Sequence, residues 1–558
     1  MASTLKLDKS QIHLRISFSS EGKKQSRIKG RWPGSGQPSS YTFPQGTLKM
    51  SSAKDIFSAV FKAEEEIYLR EIEMTIKVQN RQRGQIYFNG CFPGSPGISI
   101  SDGQYVIRMK RNRKMRQYIR FINTGSSLKI IWEFNCMVPE SGSLPMDPVL
   151  LTQTSGGLQP GPSKIEHRIP AGIAETMWIA PQEAQRGIRV KDLEDNLSWM
   201  EQERLFFNII RLEKIHNKAG DWDNLHTDYR GKIGFINRRI EHNGMVPALG
   251  FEPFYAEIDS ELVRLHPEWL VGDMKGDALI FTLNRQRKIY ILDFTQNEVK
   301  EYLEECINIF RRQWGFKSFH LQGLSALLVP GYHSDNSIES GKILYSALEF
   351  FRSILGKDCF ITAEDIPLIT EVNQIDMICI PARLTTKRKS RTEITNALFR
   401  KMEISSLSNY PWILNSGNYP LPEDDSSFHK QAGESFRQML LIGGGILSLS
   451  MSLPSITEKQ KEELTRLIPS FKKFSRGELK QLVCPRKKET STIYNSSGYL
   501  GVFNLSSKKQ QVILNMESLK QEIYNKTGDS PIQEGRTGMK TGELELILPP
   551  LGSRIFKF

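Results

Sequence analysis

Several polar side chains in this 558-residue chain close short apolar runs, the places where a strand gives way to a loop. Glu252 follows VPALGF, and Asp293 follows IYIL. His320 and Gln322 lie in FKSFHLQG, Glu364 and Asp365 close CFITA, and Arg383 follows MICIPA. Trp412, Asn415 and Asn418 come in YPWILNSGNY, and Trp178, Asp221 and Trp222 complete the set of candidate binding residues. Carboxylates and amides exchange hydrogen bonds with hydroxyl groups, and aromatic rings stack on the apolar face of a sugar. Glycosyl transfer needs two carboxyl groups roughly 5 to 9 Å apart across the scissile bond, one of them protonated. Glu252 with Glu364 or Asp365 is the pairing the sequence offers. His320 adds a group whose reference pKa near 6.5 suits proton transfer. Each has a plainer reading. His320 can be a hydrogen-bonded core histidine, and Asp293 can cap the helix that begins near Gln296.

Three kinds of element must carry these residues. Residues 1–165 read as an N-terminal β-sandwich: QIYFNG, QYVIRM, QYIRFINT and LKIIWEF are short runs separated by turn residues. The Gly-, Pro- and Ser-rich stretch from Ser141 to Lys164 reads as a linker or long surface loop. Over residues 166–475, short apolar runs alternate with helical patterns, and glycines fit several helix ends. That rhythm predicts parallel β/α structure, and the number of units suits a closed (β/α)8 TIM barrel, whose chemistry sits at the C-terminal ends of its strands. Residues 476–558 return to strands and predict a small C-terminal antiparallel β domain. The fold class is therefore multidomain α/β plus β.

Composition narrows the partners. A net charge of +13 spread over 558 residues attracts polyanions only weakly. Six basic residues fall in nine from Arg108 to Arg116, most simply a solvated hairpin, so nucleic acid is disfavoured. A second basic cluster runs from Arg383 to Arg391 and would hang over the barrel mouth, where it could draw an anionic ligand. The six cysteines show no CxxC spacing, and the nine histidines show no HExxH or HxxxH spacing. No P-loop or dinucleotide fingerprint is present, so neither a metal nor a cofactor is expected. No run of eighteen apolar residues occurs, and the first residues lack a signal-peptide pattern, so the expectation is a cytoplasmic chain with no membrane partner.

The segment from Gly220 to Val271 resembles the retaining α-galactosidases and the raffinose-synthase-like enzymes. The matching elements are Gly220-Asp221-Trp222, His242 to Met245, Gly250 to Pro253 and Leu265 to Trp269, in that order. ILDFTQNEVKEYL and the closing LPPLGSRIFKF extend the likeness over roughly residues 175 to 558. The resemblance implies an N-terminal β-sandwich, a central (β/α)8 barrel and a C-terminal β domain. It does not carry the family's chemistry across. Where the family's K-x-D nucleophile motif belongs stand His320, Leu321 and Gln322, and an amide cannot form a glycosyl ester. The family's acid/base position falls on Arg383, a permanent cation. Its paired aspartates fall near Arg211 to Lys214, and its NDPD-like motif appears as Asn415-Ser416-Gly417-Asn418. The expectation is a diverged relative with a pocket for a carbohydrate or other polyhydroxylated ligand, and without the family's Asp/Asp hydrolysis. Two alternatives stay open: an enzyme rebuilt around His320 and the strand-end carboxylates, or a non-catalytic binding or structural protein. A homo-oligomer is compatible with all three.

Overall fold

The computed structural model describes residues 12–19, 26–31, 39–53, 56–77, 87–90, 97–101, 105–109, 117–123, 127–153, 176–181, 187–273, 275–283, 287–364, 374–379, 413–414, 417–418, 434–435, 438, 446–474, 479–483, 490–495, 499–504, 508–515, 543–550 and 552–557. Within 12–153 the chain builds a 13-stranded antiparallel sheet. Leu14, Ile16, Ile72, Met74, Ile130 and Trp132 alternate along its strands and are buried, as strands with one core-facing side require. Arg15, Glu71, Glu73, Arg120, Lys129 and Glu133 form a lattice of ion pairs across neighbouring strands. The strands on either side of the 108–116 basic run, Tyr105–Met109 and Tyr118–Asn123, do not pair as a hairpin. The strand Gly97–Ser101 lies between them in the sheet.

The central sheet is parallel. Its strands are β1 (Thr176–Ile179), β2 (Ile209–Glu213), β3 (Val246–Phe251), β4 (Ser318–Leu321), β5 (Phe360–Ala363), β6 (Met377–Cys379), β7 (Ile413–Leu414), β8 (Gly417–Asn418) and β9 (Leu447–Leu449). Their order is β7-β6-β5-β4-β3-β2-β1-β9-β8. This is a curled sheet of (β/α)8 type, flanked by antiparallel sheets. Its two path ends, β7 and β8, are separated by only residues 415–416 of the chain.

Side-chain alternation sorts the sheet into two faces. Trp178, Ile210, Leu212, Leu249, Phe319 and Ile361 join the large core that also holds the helices. Those helices include α1 (Val190–Glu203), α2 (Ile233–His242), α3 (Asn297–Asn308) and α4 (Ser340–Leu355). α1 shows how such a helix docks: Val190, Leu193, Leu197 and Met200 recur at helical spacing and are buried. The opposite face carries a separate apolar cluster of Met177, Ile179, Ile209, Ala248, Phe360, Met377, Cys379 and Ile446. This inner layer seals the inside of the curl. Polar residues begin immediately beyond it, toward the C-terminal strand ends.

Beyond the parallel sheet, a four-stranded antiparallel sheet and a two-stranded one lie within 479–557. The N-terminal sheet rests on the segment that follows β4. The Tyr68 hydroxyl donates to the Gly331 carbonyl at 2.9 Å and accepts from the Gly331 N–H at 3.1 Å, and its ring stacks on Tyr332 at 4.8 Å. The Asn135 amide donates to the Leu328 carbonyl, and the Met137 N–H donates to the Asn336 carbonyl. Among the described residues no helix is long and apolar enough to cross a membrane.

Candidate functional site

The parallel register fixes which polar side chains share a level. Gly250 stands opposite His320, and His320 opposite Thr362. Glu213 stands opposite Gly250. Two residues further along β3 to β5, the same inner face offers Glu252, Gln322 and Glu364 at consecutive strand ends. Backbone bonds continue the ladder there: Gln322 N–H donates to the Phe251 carbonyl at 3.0 Å, and Glu364 N–H donates to the Leu321 carbonyl at 2.9 Å.

His320 is sealed, with a side chain 1 % exposed. Its Nδ1 lies 2.8 Å from Thr362 Oγ1, and its Nε2 lies 3.4 Å from Glu364 Oε2. The second contact is a charge contact rather than an aligned hydrogen bond, since Nε2 has no hydrogen-bond partner. Gln322 Nε2 donates to the other Glu364 oxygen, Oε1, at 3.1 Å. Burial alone would raise the Glu364 pKa, but His320, Arg211 and Gln322 outweigh it and hold the carboxyl at about 2. Burial and Arg211 pull His320 down, while the Cys379 sulfur and the Glu364 carboxylate push it up more strongly, to about 9. The two residues form an imidazolium–carboxylate pair near neutral pH.

A second pair lies beside it. Arg211 Nη2 contacts Glu213 Oε1 at 2.8 Å, and both side chains are almost fully buried. Gly250 makes room for this arrangement: a Cβ there would lie 2.8 Å from Glu213 Cγ. Arg211 keeps its Nε and Nη1 without a hydrogen-bond partner. The pattern was readable in principle. Arg and Glu two apart in IIRLE must share a face of one strand, and that face points inward.

Glu252 belongs to a different cluster. Arg287, from the hairpin strand Arg287–Ile291, reaches Glu252 Oε2 at 2.6 Å and Glu257 Oε1 at 3.1 Å. Its partnership is therefore with a cation. No contact joins it to Glu364 among the described residues.

Other sequence candidates serve the frame around the mouth. Trp178 is fully buried on the helix side of β1, and its indole N–H donates to the Met451 carbonyl at 3.0 Å. Asp221 accepts from the N–H groups of Glu261 and Leu262 and so caps the short helix Glu261–Leu265. Trp222 is buried against His216 and Phe251. His216, missed in the sequence, is kept neutral there by burial, which pushes its pKa down to about 3. Asp293 opens the turn before α3 by accepting from Thr295 N–H. It also accepts from Ser334 N–H at 2.6 Å and pairs with His333 Nδ1 at 2.8 Å. Burial opposes its charge, but His333 and those donors hold it at about 2. His333 lies in a loop, with no sequence signal to mark it.

Asp365, Arg383, Trp412 and Asn415 lie outside the described residues, as do the basic cluster 383–391 and the side chain of Asn418. Among the described residues no group of three or more His, Cys, Asp or Glu could hold a metal ion.

A model of the melibiase family matches residues 180–316, the stretch that holds β2, β3, Asp221, Glu252 and Asp293. The bifunctional α-galactosidase/sucrose kinase AgaSK of Mediterraneibacter gnavus is 29% identical over 86 residues, a match covering 15% of this chain and 9% of that protein. Two solved structures show the likeness of fold. The α-galactosidase TtGalA from Thermus thermophilus, in complex with stachyose, is 13% identical with a TM-score of 0.52, covering 77% of this chain and 99% of that one. A variant of the α-galactosidase AgaA from Geobacillus stearothermophilus, in complex with raffinose, is 10% identical with a TM-score of 0.55, covering 97% of this chain and 88% of that one. Residues 180–316 thus resemble the melibiase family, and the fold of the chain is like that of the α-galactosidases at low sequence identity.

Proposed function

We propose that this protein binds a neutral, polyhydroxylated ligand, a galactoside-type sugar, at the C-terminal edge of its parallel sheet, without the family's hydrolytic route. One observation carries the reading. Each described strand-end carboxylate on β2, β3 and β5 already has a cation: Glu213 has Arg211, Glu252 has Arg287, and Glu364 has His320. Each of these carboxylates is therefore held by a cation and not by a second carboxyl group. A pair of acids sharing one catalytic proton is therefore not supported.

The same groups suit sugar hydroxyls. Glu252 and Glu364 are about a quarter exposed at their side chains, while His320 and Arg211 beneath them are sealed. What meets a ligand is therefore acceptor oxygens and the Gln322 amide, which favours hydroxyl donors over an anion. The stachyose and raffinose bound by the two structural relatives point to the same ligand class. The frame fits too: we infer that β7 and β8 are one interrupted strand that closes the sheet into an eight-stranded barrel.

Calorimetric titration with galactose and raffinose, run beside an assay for galactose release from raffinose, tests the reading. The expected result is saturable binding with no release above the buffer rate. Efficient release of galactose from raffinose would overturn it.

A further inference from the structure

We propose that the outer side of α2, together with the turn that ends α3, is a docking surface for a short acidic segment of a partner protein. The surface is separate from the strand-end pocket and does not depend on the sugar reading. Residues 313–317 lead into the start of β4, so the surface lies toward the N-terminal ends of the strands, away from the mouth.

Helical spacing builds it first. Phe235 is the most exposed large apolar side chain among the described residues, at 69%. It sits in the first turn of α2, whose buried side is already supplied by Ile233, Ile236, Asn237 and Ile240. Lys232 and Arg238, three residues to either side of Phe235, share its exposed stripe. The Arg238 guanidinium carbon stands 4.4 Å from the centre of the Phe235 ring. α3 runs on into one π-helical turn, Ile309–Gln313, a geometry that is rare and concentrated at functional sites. That turn exposes Arg312 and Gln313. The two elements touch. The Asn237 amide donates to the Trp314 carbonyl at 2.8 Å. A Cβ on Gly234 would stand 3.4 Å from the Gln313 carbonyl oxygen and 3.8 Å from Arg238 Nη1, so the α2 cation and the π-helical turn border one spot.

Charge then selects the partner. Neighbouring cations are engaged: Arg311 donates to the Ile354 carbonyl at 2.9 Å, Lys317 faces Glu241 at 3.6 Å, and Arg239 pairs with Glu201 at 2.6 Å. Lys232, Arg238 and Arg312 are left around the ring, exposed to solvent. A partner must bring negative charge for them and apolar surface for Phe235, which carboxylates beside an apolar side chain supply together. The surface is also bounded. Exposed Glu304 and Glu305 lie about two turns back along α3, and Glu201 and Glu241 flank α2. A long polyanion such as a nucleic acid would run onto those acids, and one ring is too little apolar surface to anchor the chain on a lipid membrane. A short acidic segment meets neither obstacle.

The test titrates the full chain into a fluorescein-labelled peptide of glutamates around a central Trp-Leu pair and follows anisotropy. The glutamine counterpart of that peptide, single-stranded oligothymidylate and phosphatidylserine vesicles are run beside it. The expected result is saturable binding of the glutamate peptide, at least about tenfold tighter than of the glutamine peptide. Phe235→Ala should weaken it about tenfold, and Phe235→Tyr, which keeps a ring, should restore it. Arg238→Gln with Arg312→Gln should weaken it about tenfold and flatten its salt dependence. A photoreactive form of the peptide, mapped by mass spectrometry, should label α2 or the 309–313 turn of the unaltered chain, and this decides the matter if a variant fails to fold. No saturable binding of the glutamate peptide, label elsewhere, or undiminished binding by Phe235→Ala overturns the proposal. Tighter binding of oligothymidylate or vesicles than of the peptide overturns it as well, by pointing to a different partner.

Discussion

An ionised Glu364 beside a protonated His320 ties the stability of the protein to pH from two sides. Glu364 has its pKa lowered from 4.5 to about 2 on folding, so its contribution is present above 4.5 and is lost as pH falls toward 2. His320 has its pKa raised from 6.5 to about 9, so its contribution is full below 6.5 and is lost as pH rises through 9. The pair therefore contributes most between pH 4.5 and 6.5. Urea unfolding should show stability falling between pH 6.5 and 9, and His320→Gln should flatten that fall. A slope that survives in the variant would show that another group carries it. These residues were legible as chemistry-bearing because each ends an apolar run. Their mutual contact was not, since it depends on the register between β4 and β5, which leaves no trace in local spacing.

At the scale of elements, β3 and β2 fit together through the absence of a side chain. Gly250→Ala would drive a methyl group to within 2.8 Å of Glu213 Cγ and push that carboxylate away from Arg211. Separating a buried ion pair costs on the order of 3 kcal/mol, so chemical denaturation should show a loss of about 2 to 4 kcal/mol. A loss below about 0.5 kcal/mol would mean that Glu213 yields without cost. The turn that starts α3 is tied to the loop at 333–335 by one carboxylate, Asp293. Asp293→Asn keeps the shape but removes the charge facing His333, and should lower stability by about 2 to 3 kcal/mol near neutral pH. A melting curve identical to that of the unaltered protein would contradict that role. The capping reading of Asp293 was available from its place before a helix. Its tie to His333 joins residues 40 apart and could come only from the fold.

Over the whole molecule, the division into β-rich, β/α and β-rich stretches was legible because strand and helix periodicities differ plainly along the chain. The packing of the N-terminal sheet on the β4 exit was not, because its contacts are single side chains such as Tyr68 and Asn135 meeting backbone groups. Gly323, next to Gln322, adopts a left-handed φ of +67° with the Tyr255 ring where a Cβ would stand, so this exit is confined from both sides. Tyr68→Phe keeps the ring and removes both bonds to Gly331. It should cost about 1 kcal/mol and speed amide hydrogen exchange across 324–332 about fivefold. Unchanged exchange there would show that the ring alone holds the segment.

On the function proposed above, a sugar should meet the ends of β3, β4 and β5, where the acids are already paired. A crystal of the full chain soaked with galactose tests it most directly. The sugar should lie in contact with Gln322 and Glu364, with Glu252 still held by Arg287. That placement would be contradicted by galactose bound elsewhere, or by two carboxyl groups free of cations facing each other at about 5 to 5.5 Å across the anomeric carbon.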